Sequence, residues 1–207
     1  MKALIFCDGY GKKQSVNDGL SNALTVLTEG FTVIDKLLLD LATVGLCEAV
    51  LLSKVSSREL QAKLGDGYKG VKLSYEHALR TLEDITLLLA KIDDDVIVFD
   101  SGVVTDINLK KLFIKFNQSA APVMIYATIR AEPSSAFERV SRTLFDDEPL
   151  YVYGGIFCVR KAFDLRQFAL GDELEDALAF LADLGELDVF GSSIKYCLAS
   201  GLMVGRI

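Results

Sequence analysis

Histidine is nearly absent from this chain: of 207 residues only His77 is one. A single histidine after a strand reads as a surface residue, and no Cys–His or Ser–His constellation assembles around it. Cysteine is sparse too. Cys7, Cys47, Cys158 and Cys197 are far apart, with no C-x-x-C pair, which argues against a thiolate metal site. Each lies in an apolar stretch and reads as a buried, reduced thiol. Positive charge is in deficit, with 22 Lys+Arg against 29 Asp+Glu and a net charge of −7. That balance argues against nucleic-acid or anionic-membrane partners, while leaving room for a local basic pocket. No run approaches the roughly 18 apolar residues of a membrane span. Lys2 is followed by five apolar residues before Asp8, too few for a secretory leader. A cytoplasmic location is therefore expected. No repeat, linker or low-complexity tract interrupts the chain, so a single domain over residues 1–207 is expected.

The composition is 51% hydrophobic, enough for a sizeable core. Ala3 to Cys7 is an apolar run that ends in a Gly9-Tyr10-Gly11 turn, which reads as a buried first strand. Gly-rich loops after strands are where α/β sheets hold phosphates, because small residues let backbone N–H groups approach an anion. A polar loop follows to Asn22, then a short strand over Ala23–Leu27. Thr32 opens a periodic helix (Val33, Ile34, Leu37, Leu38, Leu41) that Gly45 stops. Further strands are expected at 48–53, 71–75, 96–100 and 122–129, with 2–7 in the same sheet. Helices are expected from Ser56 to Gly65, Thr81 to Lys91 and Asn108 to Asn117. Asp93-Asp94-Asp95 reads as a solvated acidic turn. Lys110, Lys111 and Lys115 read as a solvated helix face. Glu132–Glu148 is polar and irregular. Leu150–Val159 is β-like around Gly154-Gly155, and Asp172–Leu184 is an amphipathic helix with acidic residues in its first turn. Leu187–Phe190 reads as a last strand and Ile194–Ser200 as a last helix. The alternation predicts a mostly parallel sheet with helices on both faces.

Several segments, in order, resemble the sugar-1-phosphate nucleotidyltransferases, the pyrophosphorylases that make nucleotide sugars. Met1-Lys-Ala-Leu-Ile with Gly9-Tyr-Gly11 is similar to that family's opening strand and Gly-rich loop. Leu64-Gly-Asp-Gly67 is similar to its "L-G-D-G" turn. Val96-Ile-Val-Phe-Asp-Ser-Gly-Val-Val-Thr-Asp-Ile107 is similar to "F-L-V-L-N-G-D-V-L-T-D-I", and Gly154-Gly-Ile-Phe-Cys-Val159 to "A-G-I-Y-V-L". The resemblance covers nearly the whole chain. It implies an α/β, Rossmann-like, GT-A-like fold. It also implies binding of a nucleoside triphosphate, a sugar phosphate and Mg²⁺. In active members the sugar phosphate attacks the α-phosphorus in line and pyrophosphate leaves.

The resemblance also assigns the site positions. Gly9 and Gly11 fall in the phosphate loop. Lys13 stands where the family has its triphosphate-clamping Arg, keeping the charge and losing the bidentate fork. Asn22 stands in place of a phosphate-binding Lys. Leu79 and Thr81 are retained from the base-binding "L-G-T-A-G-A" turn, but Arg80 and Glu83 replace its glycines. Gly102 stands where the metal-binding Asp belongs, with Asp100 two residues earlier. Val189 stands at the second metal Asp, with Asp188 one residue before. Lys13 and Asp100 are thus the catalytic candidates, and Asp100 and Asp188 the metal candidates. Departures at five sites together point to a catalytically degenerate homologue. Such a protein would bind a nucleotide or sugar phosphate weakly, or serve as a regulatory partner of an active relative, as a homo- or hetero-oligomer. An active transferase using Mg²⁺, Lys13 and Asp100 is the alternative, and an interaction scaffold without ligand is another.

Overall fold

The apolar run after Met1 forms the first strand, β1 (Lys2–Phe6), and all of its residues but Lys2 are buried. The computed structural model describes residues 1–8, 22–54, 57–77, 82–101, 103–104, 107–130, 151–163 and 174–198. A short 3-10 turn (Asn22–Leu24) is followed by a small hairpin of β2 (Val26–Thr28) and β3 (Phe31–Thr32). The strand expected over Ala23–Leu27 is therefore divided. The backbone N–H of Ala23 donates to the Cys7 carbonyl at 2.8 Å, which holds the start of the segment against the end of β1. Helix α1 (Val33–Thr43) begins where Thr32 donates from N and Oγ1 to Asp35 Oδ2, at 2.7 and 2.6 Å. It ends just before Gly45, whose φ of +77° suits a residue without a Cβ.

The chain continues through β4 (Glu48–Leu52), α2 (Ser57–Leu64), β5 (Gly67–Tyr68), β6 (Val71–Glu76), α3 (Leu82–Lys91), β7 (Val96–Asp100) and β8 (Val103–Val104). Helix α4 (Leu109–Gln118) is capped by Asn108, whose Oδ1 accepts from the Lys111 N–H at 3.0 Å. β9 (Val123–Arg130), β10 (Tyr151–Val159), α5 (Leu174–Asp183) and β11 (Leu187–Leu198) complete it.

Nine strands form one sheet in the order β5-β6-β4-β1-β7-β10-β9-β11-β8. β6, β4, β1 and β7 are parallel neighbours, and β11 runs parallel to β9. β10 is antiparallel to both β7 and β9, so β9 and β11 point the same way as the first four. The expected mostly parallel α/β sheet is the observed one. One apolar cluster joins α1, α2 and α4 to one face of the sheet; a second joins α3 and α5 to the other.

At the end of the chain, Leu187–Leu198 is a single strand rather than a strand and a helix. A register shift between Ser192 and Lys195 absorbs the polar break, and the strand continues to pair Tyr196 with Arg130. In β10 a Cβ on Gly154 would lie 2.3 Å from the buried Tyr126 ring, so only glycine fits there. The expectation for Glu132–Glu148 lies outside the described residues.

Candidate functional site

From β1 the chain crosses through α1 to β4 on one side, then returns through α3 to β7 on the other. The sheet order therefore reverses between β1 and β7. In open α/β sheets ligands bind outside the carboxyl ends of the strands at such a switch point.

The carboxyl ends of β1, β4 and β7 are knitted together there. Cys7 N–H donates to the Leu52 carbonyl at 2.8 Å, and Ser101 N–H to the Phe6 carbonyl at 3.1 Å. Ser101 Oγ is fully buried and lies 2.7 Å from both the Phe6 and Cys7 carbonyl oxygens, which share its one proton. Asp100 ends β7, half-buried and in register with Phe6. It sits at the switch point.

The structure adds Asp8, which did not stand out in the sequence. It is buried, with 5% exposure. Its Oδ1 accepts from Ser53 Oγ at 3.0 Å and its Oδ2 from Lys54 N–H at 2.7 Å. Its own carbonyl accepts from Asn22 Nδ2 at 3.2 Å. The sequence signal was an acidic residue directly after an apolar strand and one step before the glycine turn. Lys54 is exposed, and among the described residues its ammonium has no hydrogen-bond or ion-pair partner.

Asp188 is elsewhere. It is the second residue of β11 and shares a row with Met124, Cys158 and Ile97 across the sheet. Asp100 lies three residues beyond Ile97 and three strands away. At strand dimensions that is about 10 Å along and about 14 Å across. Ligands of one Mg²⁺ lie about 2 Å from the ion. Asp100 and Asp188 are thus not placed to share a cation. Asp188 is occupied at the amino end of the sheet. It accepts from its neighbour Val189 N–H at 2.7 Å and pairs with Lys115 Nζ at 3.5 Å. Burial raises its pKa, but hydrogen bonds from Ser119 and Val189 and the Lys115 charge outweigh this and hold the carboxyl below the usual range. Val189 packs against the apolar cluster beneath α3 and α5.

The acidic triplet is exposed at Asp93, as expected of a solvated turn, but each of its carboxylates also has an ion-pair partner. Asp93 meets Lys161 Nζ at 2.7 Å, Asp94 the Met1 amino group at 2.5 Å, and Asp95 the Arg160 guanidinium at 3.2 Å. Cys7 and Cys158 are buried as expected, and burial pushes both thiols up. Cys47 is exposed instead, one residue before β4 begins. His77 is exposed after β6, and Lys110, Lys111 and Lys115 are exposed on α4. Lys13, Gly9, Gly11, Leu79, Thr81 and Gly102 lie outside the described residues. Among the described residues, no group of three or more His, Cys, Asp or Glu could hold a metal. None of their helices is long and apolar enough to cross a membrane.

No protein-family model matches the sequence, and no curated protein matches it significantly. Solved structures do match. One, from Bacillus anthracis, is described as a glucose-1-phosphate thymidylyltransferase in complex with a sucrose. It superposes with a TM-score of 0.73 at 13% identity, over 96% of this chain and 89% of that one. Another is HddC from Yersinia pseudotuberculosis complexed with GMP-PN, with a TM-score of 0.66 at 14% identity, over 96% and 93%. The fold is nucleotidyltransferase-like. At these identities the likeness speaks for fold alone, and function has to be argued from the site.

Proposed function

We propose that this chain is a sugar-phosphate nucleotidyltransferase homologue that binds a nucleotide or sugar phosphate at the carboxyl edge of its sheet and does not catalyse metal-dependent transfer. One observation carries the reading. β11 is the strand on which the resemblance places the second metal carboxylate, and from Val189 to its end it contains no Asp or Glu. Asp188, the one carboxylate on the strand, is at its start and paired with Lys115. A hard divalent cation held between protein and phosphate needs carboxylate oxygen on the protein side, and Asp100 alone is a poor donor set. The described residues do not fit a resident Mg²⁺, so no step is routed through one.

What remains supports binding. The sheet has a switch point, its strand ends are joined by buried hydrogen bonds, and the sequence Gly9-Tyr-Gly11 follows directly on Asp8 there. Backbone N–H groups of such a loop are anion ligands that need no metal.

A thermal-shift panel of nucleoside triphosphates and nucleotide sugars, with and without Mg²⁺, tests the reading, together with a pyrophosphate-release assay. Stabilisation by at least one of these ligands is expected, with little dependence on Mg²⁺ and no pyrophosphate released. Turnover at about 1 per second or faster would overturn the silent reading. Failure of every ligand to stabilise would favour a scaffold.

A further inference from the structure

We draw no further inference here: the strongest candidate, a cavity of about 510 Å³ at the amino edge of the sheet between Leu46, Phe113 and the starts of β1 and β7, has its charged groups paired with one another or with Arg160, and nothing in the structure shows what would fill it.

Discussion

At the amino end of the strands, Asp93, Asp94, Asp95 and Asp188 each meet a full positive charge, from Lys161, the Met1 amine, Arg160 and Lys115. At the carboxyl end, the contacts of the buried Asp8 include the Ser53 hydroxyl at 3.0 Å and the Lys54 backbone N–H at 2.7 Å, and the Lys54 side chain beside it is exposed. The same residue type serves two purposes. Ion pairs at the amino end neutralise charge and tie strand starts to the helix ends that flank them. At the carboxyl end, hydroxyl and backbone donors tie one strand end to the next. An edge built for holding should show the loss of a partner in stability, by an amount that follows how buried the pair is. An edge built for binding should show its losses in affinity first.

The region between the two ends should be the least forgiving. In Gly154→Ala the new methyl would meet Tyr126 Cδ1 at 2.3 Å and Cε1 at 2.7 Å, with the Tyr126 carbonyl at 3.2 Å. Tyr126 is fully buried and packs at 6.3 Å from the Phe190 ring, so neither ring can swing away freely. A loss of about 3 kcal/mol is expected in urea unfolding, at the upper range for overpacked cores. A change under half a kcal/mol would mean that β10 has slack which the buried ring does not suggest.

Next in size is Val189→Asp, which restores on paper the carboxylate that the family resemblance misses. Val189 packs against the cluster formed with Leu178, Leu181 and Ile125. An unpaired carboxylate there should cost about 2 kcal/mol. Isothermal titration should detect no new Mg²⁺ site. A tight Mg²⁺ site appearing in this variant would show that the carboxyl edge is within reach after all.

These two cases show where the sequence was legible. β1, β4, β7 and β9 could be read because each is a largely apolar run closed by glycine, charge or a helix start, and β6 because its apolar and polar residues alternate. Helix α1 could be read from Thr32, its 3.6-residue period and Gly45 together. The reading failed where a partner distant in sequence decides the outcome. Ile194 to Leu198 alternates in the manner of a strand, but pairing with β9 and β8 makes it one. Asp93 to Asp95 carry no sign of Met1, Arg160 and Lys161. For the site, neither the switch point nor Asp188's distance from Asp100 could be read, because both depend on strand order, and the distance also on the antiparallel insertion of β10 and on register.

At the amino end, Arg160 is the busiest residue. Its guanidinium stacks 4.0 Å above the Phe116 ring, donates to the carbonyls of Phe116 and Ser119 at the end of α4, and pairs with Asp95. Arg160→Met keeps most of the apolar stem and removes every donor. A loss of about 1–2 kcal/mol is expected, since two helix-end carbonyls and a carboxylate lose one partner at once. Nucleoside triphosphate binding should not change. An affinity loss larger than the stability loss would undo the division of labour between the ends.

Asp188→Asn should have the smallest effect and the clearest pH signature. The Asp188–Lys115 pair is partly exposed at 3.5 Å, and such pairs contribute about 0–1 kcal/mol. The carboxyl's pKa is depressed in the folded protein: burial opposes ionisation, but the bonds from Ser119 and Val189 and the Lys115 charge prevail. A depressed carboxylate binds fewer protons folded than unfolded. Its contribution is therefore fully present above the unfolded pKa of about 3.9 and is lost as pH falls through the folded value. Wild type should exceed Asp188→Asn in stability by a constant amount at neutral pH, and the gap should close as pH drops below about 4. Thermal melts across pH 2.5 to 7 measure this. A gap that widens in acid would mean that Asp188 is protonated more readily when folded, contrary to its contacts. Any change in nucleotide affinity would return Asp188 to the binding site, some 17 Å from Asp100 by strand geometry, and would require the strands to rearrange when ligand binds.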